Sequence, residues 1–263
     1  MNHHLVPMAG VPKTYKVIWT QAEAKAEVKR LRASAVVSFD CETVDFGEQP
    51  QISLVQACVD TGPVCLFDVL TDTSVIPESG ILELLEDGGI TKIMHDCRLE
   101  CSMFFNLFGV EIKNIFDTQV AYRALDAKAH MQTMSRAKMA SFTDVCLLVG
   151  VPIDLSLKLN IKSAMEVDPC FWAKRPLTEE MKTYAAMDVV PLVSVYPKLK
   201  TRLSGSGYEG FFRNMCDEYR SMSVNPKRAK ELRTQREKSE LLHILDFNPN
   251  YLLSKTQKKI LRR

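Results

Sequence analysis

The stretch VVSFDCET, residues 36–43, runs four mostly apolar residues into an acid, a cysteine and a second acid. The apolar, β-branched part reads as a buried strand. A buried strand has no obvious use for Asp40 and Glu42 at its end. Residues two apart on a strand project to one face, so the two carboxylates point the same way. They raise each other's pKa unless a cation compensates. Oxygen donors without His or Cys favour Mg²⁺ or Mn²⁺. The plainer alternative for an isolated Asp-x-Glu is that one acid caps a turn and the other faces solvent.

The neighbouring segments place this strand in an α/β domain. Residues 21–34, QAEAKAEVKRLRAS, are helix formers that end before it. AVVSFD (35–40), QISLVQAC (51–58) and PVCLFDVL (63–70) read as three strands joined by short turns, which predicts an antiparallel meander. ILELLEDGG (81–89) has a helical period and a glycine stop, and TKIMH (91–95) is a fourth short strand. In 98–109 the apolar residues Leu99, Met103, Phe104 and Leu107 recur at helical spacing up to Gly109, and 115–125 reads as a brief strand followed by a helix. The second half is mainly helical. Ser141 caps one helix, closed by Gly150, and Thr178 caps a long stretch, 177–203, that Pro191 is expected to kink or break. The expected organisation is an N-terminal tail (1–11), a mixed sheet flanked by helices (12–205), a loosening GSG (205–207) and a basic helical C-terminal extension (206–263).

Composition narrows the class. Of 263 residues, 46% are hydrophobic and 25% charged, as in an ordinary soluble globular chain. No run is apolar enough to span a membrane, and the N-terminus is a poor secretory signal. The expected compartment is cytosol or nucleus, with the closing KKILRR a nuclear hint. The eight cysteines contain no C-x-x-C and read as reduced core residues. With five His, two of them at positions 3 and 4, a zinc site is not expected. The net charge of +2 hides an asymmetry: residues 225–263 carry eleven Lys/Arg against four Asp/Glu. A basic tail suits a polyanion partner or a solvated helix.

Asp40 and Glu42 are not the only acids at telling positions. TYAAMDVVPL places Tyr184 and Asp188 one turn apart on a helical face. Between them in the chain lies a strand leading into a helix with acids at 96, 100 and 117. Three acidic stations could therefore surround one site. DCE, the HDCR helix followed by FDTQVA, and W-x-x-R-P-L-T-x-x-x-x-x-Y-A-A-x-D resemble the three ordered motifs of the DEDDy 3′–5′ exonucleases, the ribonuclease D-like family. Within it the chain is most similar to the branch of Egalitarian and the exonuclease 3′–5′ domain-containing proteins. The resemblance covers residues 30–200.

It implies a ribonuclease-H-like fold and a two-metal, Mg²⁺- or Mn²⁺-dependent 3′–5′ exonuclease acting on single-stranded RNA or DNA, with RNA favoured. Asp40 would bridge both ions, Glu42 and Asp188 would complete the set, and Tyr184 would orient the attacking water. The second motif departs from the family: the acid five residues after His95 is Glu100, where the pattern has aspartate. A non-catalytic RNA-binding adaptor with the same fold is the alternative that Glu100 suggests. Asp96 is expected to cap the helix starting near 97, Asp117 to support a turn behind the site, and His95 to be packed. Thr43, Phe46, Arg98, Lys174 and Arg175 are candidate substrate contacts, with Gln49 beside Phe46 as a weaker one. The amphipathic segment 228–247 is expected to dock on the core or bind a protein partner.

Overall fold

Val36–Asp45 is a strand because its side chains divide between two hydrophobic layers. Val37, Phe39 and Cys41 belong to one buried cluster and Val44 to the other, which is the period of two that a sheet covered on both faces requires. Asp40 and Glu42 alternate with Phe39 and Cys41 and so fall on the Val44 side. The structure is a computed structural model and describes residues 5–6, 13–45 and 50–262. Phe46 and Gln49 lie outside the described residues.

In chain order the elements are β1 (Leu5–Val6), β2 (Lys13–Ile18), α1 (Gln21–Arg32), β3 (Val36–Asp45), β4 (Pro50–Cys58) and β5 (Val64–Asp68). There follow α2 (Val75–Ser79), α3 (Ile81–Glu86), β6 (Thr91–Met94), α4 (Arg98–Phe108), β7 (Ile115–Asp117), α5 (Thr118–Ala129), α6 (Phe142–Leu148) and α7 (Leu155–Val167). A 3₁₀ turn at Phe171–Ala173 precedes α8 (Glu179–Leu203), α9 (Glu209–Val224), α10 (Pro226–Phe247) and α11 (Lys255–Leu261). The strands form one mixed sheet, ordered β1-β2-β5-β4-β3-β6-β7. The predicted meander is present: β3 pairs antiparallel with β4, and β4 with β5. β6 and β7 extend the sheet in parallel beyond β3. β2 was not foreseen; it pairs in parallel with β5.

The face bearing Phe39 packs on α1 to α5 and α9 through Leu31, Leu84, Phe104, Val120 and Phe212, among others. The opposite face packs on α7, the 3₁₀ turn and α8 through Ile161, Trp172, Ala185, Ala186 and Val189. Small alanines let α8 approach the strands closely enough to bring Tyr184 and Asp188 over β3.

Three expectations are corrected. α8 runs unbroken from Glu179 to Leu203 with Pro191 inside it. Pro191 is buried, so packing offsets the hydrogen bond that proline removes. Asp96 does not cap α4: the cap position is Cys97, with no side-chain cap bond, and Asp96 sits at φ 62° with its carboxylate on Arg98. Gly205–Gly207 forms a tight turn rather than a loose link, since the Gly205 N–H donates to Glu209 at 2.6 Å. Beyond it, Phe212, Met215, Cys216 and Tyr219 of α9 enter the main core. α10 then docks on α9 through a buried ion triad, Arg236 with Glu218 at 2.8 Å and with Glu240 at 2.6 Å. Seven of the eight cysteines are buried and all are free. Among the described residues no helix is long and apolar enough to cross a membrane.

Candidate active site

β3 delivers the first two acids just past the point where β6 stops pairing with it. The β3–β6 ladder ends at Ser38 opposite Ile93, leaving the next residues of β3 free on that edge. On the other edge Asp40 faces Gln56 and Glu42 faces Leu54 across the antiparallel ladder. The register then shifts between Glu42 and Thr43, so that Thr43 faces Ile52 and Ser53 is the extra residue on β4. Bulges of this kind re-aim side chains beside sites. This one is pinned: the Ser53 hydroxyl donates to the Trp172 carbonyl, and Arg175 donates to the Ser53 carbonyl and hydroxyl at 3.2 and 3.0 Å. The same guanidinium forms a two-pronged pair with the buried Asp68, both bonds 2.8 Å. The FWAKRP segment thereby locks the strand beside the acids.

α8 supplies the third acid. Carboxylate oxygens of Asp40, Glu42 and Asp188 all lie within 4.8 Å of one another. Glu42 also accepts from the Gln56 amide at 3.2 Å. Tyr184, one turn before Asp188, rests against Trp172 with ring centroids 6.0 Å apart. Glu100 enters from the first turn of α4, where a helix N-terminus favours negative charge. It is 5% exposed, feels the charge of Asp40, and lies 3.9 Å from the Cys41 thiol. Its Oε2 is buried with no hydrogen-bond partner.

The turn carrying Glu100 is held from behind by Asp117. Its carboxylate accepts from the N–H groups of Asp96, Cys97, Gln119 and Val120 at 3.1, 2.8, 2.8 and 3.2 Å, the structural role foreseen for it. His95 is packed as expected, against Phe142 at 5.4 Å and the Thr118 hydroxyl at 2.9 Å.

These acids carry an unfavourable charge. Burial, then the Asp188 charge, pushes the Asp40 carboxyl up to about 7. Burial, then the Asp40 and Asp188 charges, raises Glu42 well above the carboxylate range, and burial with Asp40 does so for Glu100. Burial and the three carboxylates raise the Tyr184 phenol too, so it stays protonated near neutral pH. One cation is present that the sequence did not flag: the Lys158 ammonium of α7 bonds Asp188 Oδ1 and lies 4.5 Å from the Tyr184 ring centre. A lysine within LSLKLNIKSAMEV, a helix of mixed apolar and polar residues, carries no spacing that marks it. An all-oxygen donor set, an orphaned buried carboxylate oxygen and mutually raised pKa values are what a hard divalent cation would relieve.

Three of the expected substrate contacts are engaged by neighbouring acids. Arg98 pairs with Asp96 and lies over the Tyr219 ring at 5.0 Å. Lys174 pairs with Asp168 at 2.6 Å, and Arg175 holds Asp68 as above. Thr43 is half-buried immediately after Glu42.

The sequence pattern of the 3′–5′ exonuclease domain matches residues 15–204. An Egalitarian protein homolog from Caenorhabditis elegans is 28% identical over 185 residues, 70% of this chain and 32% of that protein. Ribonuclease D of Gluconacetobacter diazotrophicus is 31% identical over 207 residues, 76% of this chain and 45% of its own. The chain thus spans less than half the length of these relatives. A crystal structure of Trypanosoma brucei RNase D in complex with RNA U12 superimposes with a TM-score of 0.65 at 28% identity, covering 81% of this chain and 71% of that one.

Proposed function

The chain belongs to the 3′–5′ exonuclease family, in its DEDDy group, and we propose that it removes nucleotides from the 3′ end of single-stranded RNA by metal-dependent hydrolysis. The observation that carries this reading is the convergence of Asp40, Glu42 and Asp188 within 4.8 Å, with Tyr184 one turn away and Glu100 buried beside Asp40. RNA is favoured over DNA because two of these three relatives are named ribonuclease D and one of those two is bound to RNA.

Asp40, Glu42, Asp188 and Glu100 would hold two Mg²⁺ or Mn²⁺ ions, with Asp40 central because it neighbours all the other acids. Bound there, divalent ions would supply an activated water and stabilise the leaving oxyanion. The chain's own residues do the rest. Tyr184 keeps its proton and orients the attacking water through its hydroxyl. Asp117 holds the α4 turn, and with it Glu100, at a fixed distance from Asp40. Gln56 fixes the Glu42 carboxylate, and the Arg175–Asp68–Ser53 network fixes the β4 bulge opposite it. Placement of this kind matters because an ångström of error at a reacting centre costs on the order of 10²-fold in rate.

The second reading, a non-catalytic RNA-binding adaptor, draws on one observation: Glu100 is a methylene longer than the aspartate of the family pattern. The two separate in one assay. 5′-Labelled single-stranded RNA and matched DNA are incubated with the protein in Mg²⁺, Mn²⁺ or EDTA, beside Asp40→Ala. The exonuclease reading predicts a metal-dependent ladder that shortens from the 3′ end and is absent in the variant. RNA retained in a gel shift but never shortened would leave the adaptor.

A further inference from the structure

Lys158 is the feature of this site that neither the motifs nor the proposed chemistry absorbs. It lies on α7, whose single buried residue is Ile161 and whose Leu155 and Leu159 are exposed. Yet the Lys158 side chain is only 14% exposed and Asp188 only 13%. Its ammonium bonds Asp188 Oδ1, faces Tyr184 at 4.5 Å and Phe142 at 5.8 Å, and acts electrostatically on Asp40 and Glu42. The helix therefore carries a cation onto one of the carboxylates that would ligate metal.

Resting on the exonuclease reading, we propose that Lys158 is a further functional residue of this site, a resident counter-ion that changes partner during loading. Without metal it neutralises Asp188. A divalent ion on Asp188 and an ammonium on the same carboxylate repel each other, so metal must displace it. The displaced amine lies against Tyr184, beside the position of the reacting phosphate, and pairs there with the non-bridging oxygens of the 3′-terminal phosphodiester. Charge follows the same order. With metal bound and all four carboxylates ionised, two divalent ions and the ammonium leave the set net positive by one, and one phosphodiester restores neutrality. Metal and substrate phosphate thus bind cooperatively, with Lys158 carrying the coupling, and linkage makes the effect reciprocal.

The test is a calorimetric titration of Mn²⁺ into wild type, Lys158→Met, Lys158→Gln and Asp40→Asn. Each is run alone and with uridine 5′-monophosphate, a terminal phosphate that is not turned over. The proposal expects both Lys158 variants to bind Mn²⁺ more tightly than wild type without nucleotide, on the order of tenfold or more for one charge in a partly solvated site. It also expects the nucleotide to tighten Mn²⁺ binding in wild type and to do so less in the variants. A lysine with a purely structural role would leave Mn²⁺ affinity unchanged or lowered when replaced, and that result overturns the proposal while leaving the exonuclease reading intact. Equal nucleotide effects in wild type and both Lys158 variants would overturn the partner exchange. If no protein binds Mn²⁺ at all, the metal-dependent reading falls as well.

Discussion

Replacing Asp40 by asparagine removes one charge from the crowded cluster and leaves its shape. Burial and Asp188 move the Asp40 carboxyl from 3.8 to about 7. Because the folded-state value is raised, the native protein holds a proton that the unfolded chain has released between those values. The stability contribution is therefore complete below about pH 4 and lost as pH rises through 7. A displacement of about three pH units corresponds to about 4 kcal/mol. Asp40 is partly open to solvent, so the expected gain for Asp40→Asn at pH 8 is about 2–4 kcal/mol. That corresponds to about 5–15 °C in melting temperature for a chain of this size. At pH 5 the folded carboxyl is still protonated while the unfolded one has ionised, so only about one of the three pH units is lost and the gain falls to less than half its value at pH 8. Thermal melts in EDTA at both pH values measure this, and repeating them in Mn²⁺ should narrow or reverse the order, since ligand binding stabilises only the protein that binds it. Asp40→Asn no more stable than wild type at pH 8, or equally stabilised at both pH values, would refute the claim that the metal-free site holds electrostatic strain.

Four further outcomes are expected. Arg236→Met, at a position with 1% exposure that holds Glu218 and Glu240, leaves two buried carboxylates uncompensated and costs about 3–5 kcal/mol in urea unfolding; a change below about 0.5 kcal/mol would contradict the burial of this triad. Replacing all three members by apolar residues should recover most of that loss. Arg175→Leu strands Asp68, which is 3% exposed, and lowers stability by about 3–5 kcal/mol in the same measurement. Tyr184→Phe lowers kcat by about 10²-fold with RNA affinity retained in a gel shift, as expected for a group that orients the attacking water; an unchanged kcat would remove Tyr184 from the reaction.

Much of this architecture is local and so could be read. The β3–β4–β5 meander is marked by β-branched runs and short turns, and the caps at Ser141 and Thr178 by their own residues. β2 escaped because its partner, β5, lies some fifty residues away in the chain and parallel pairing leaves no turn to announce it. Pro191 misled because burial against the sheet, not propensity, decides the course of α8. Within the site, Asp40 with Glu42 and Tyr184 with Asp188 are visible as spacings on a strand and on a helix. Glu100 was identified through family resemblance alone. Gln56 depends on cross-strand register, and Lys158 on how α7 packs, neither of which a linear pattern encodes. The engagement of Arg98, Lys174 and Arg175 by Asp96, Asp168 and Asp68 is likewise set by tertiary neighbours.

The most direct test of the central claim is the identity of the product. A 5′-labelled single-stranded RNA of about a dozen nucleotides is digested in Mg²⁺ or Mn²⁺, and the released species are identified by mass spectrometry over time. Water attack at the 3′-terminal phosphodiester predicts nucleoside 5′-monophosphates appearing one at a time while the labelled strand shortens and keeps a 3′-hydroxyl. Release of oligonucleotides, shortening from the 5′ end, or no release while the RNA stays bound would contradict the account.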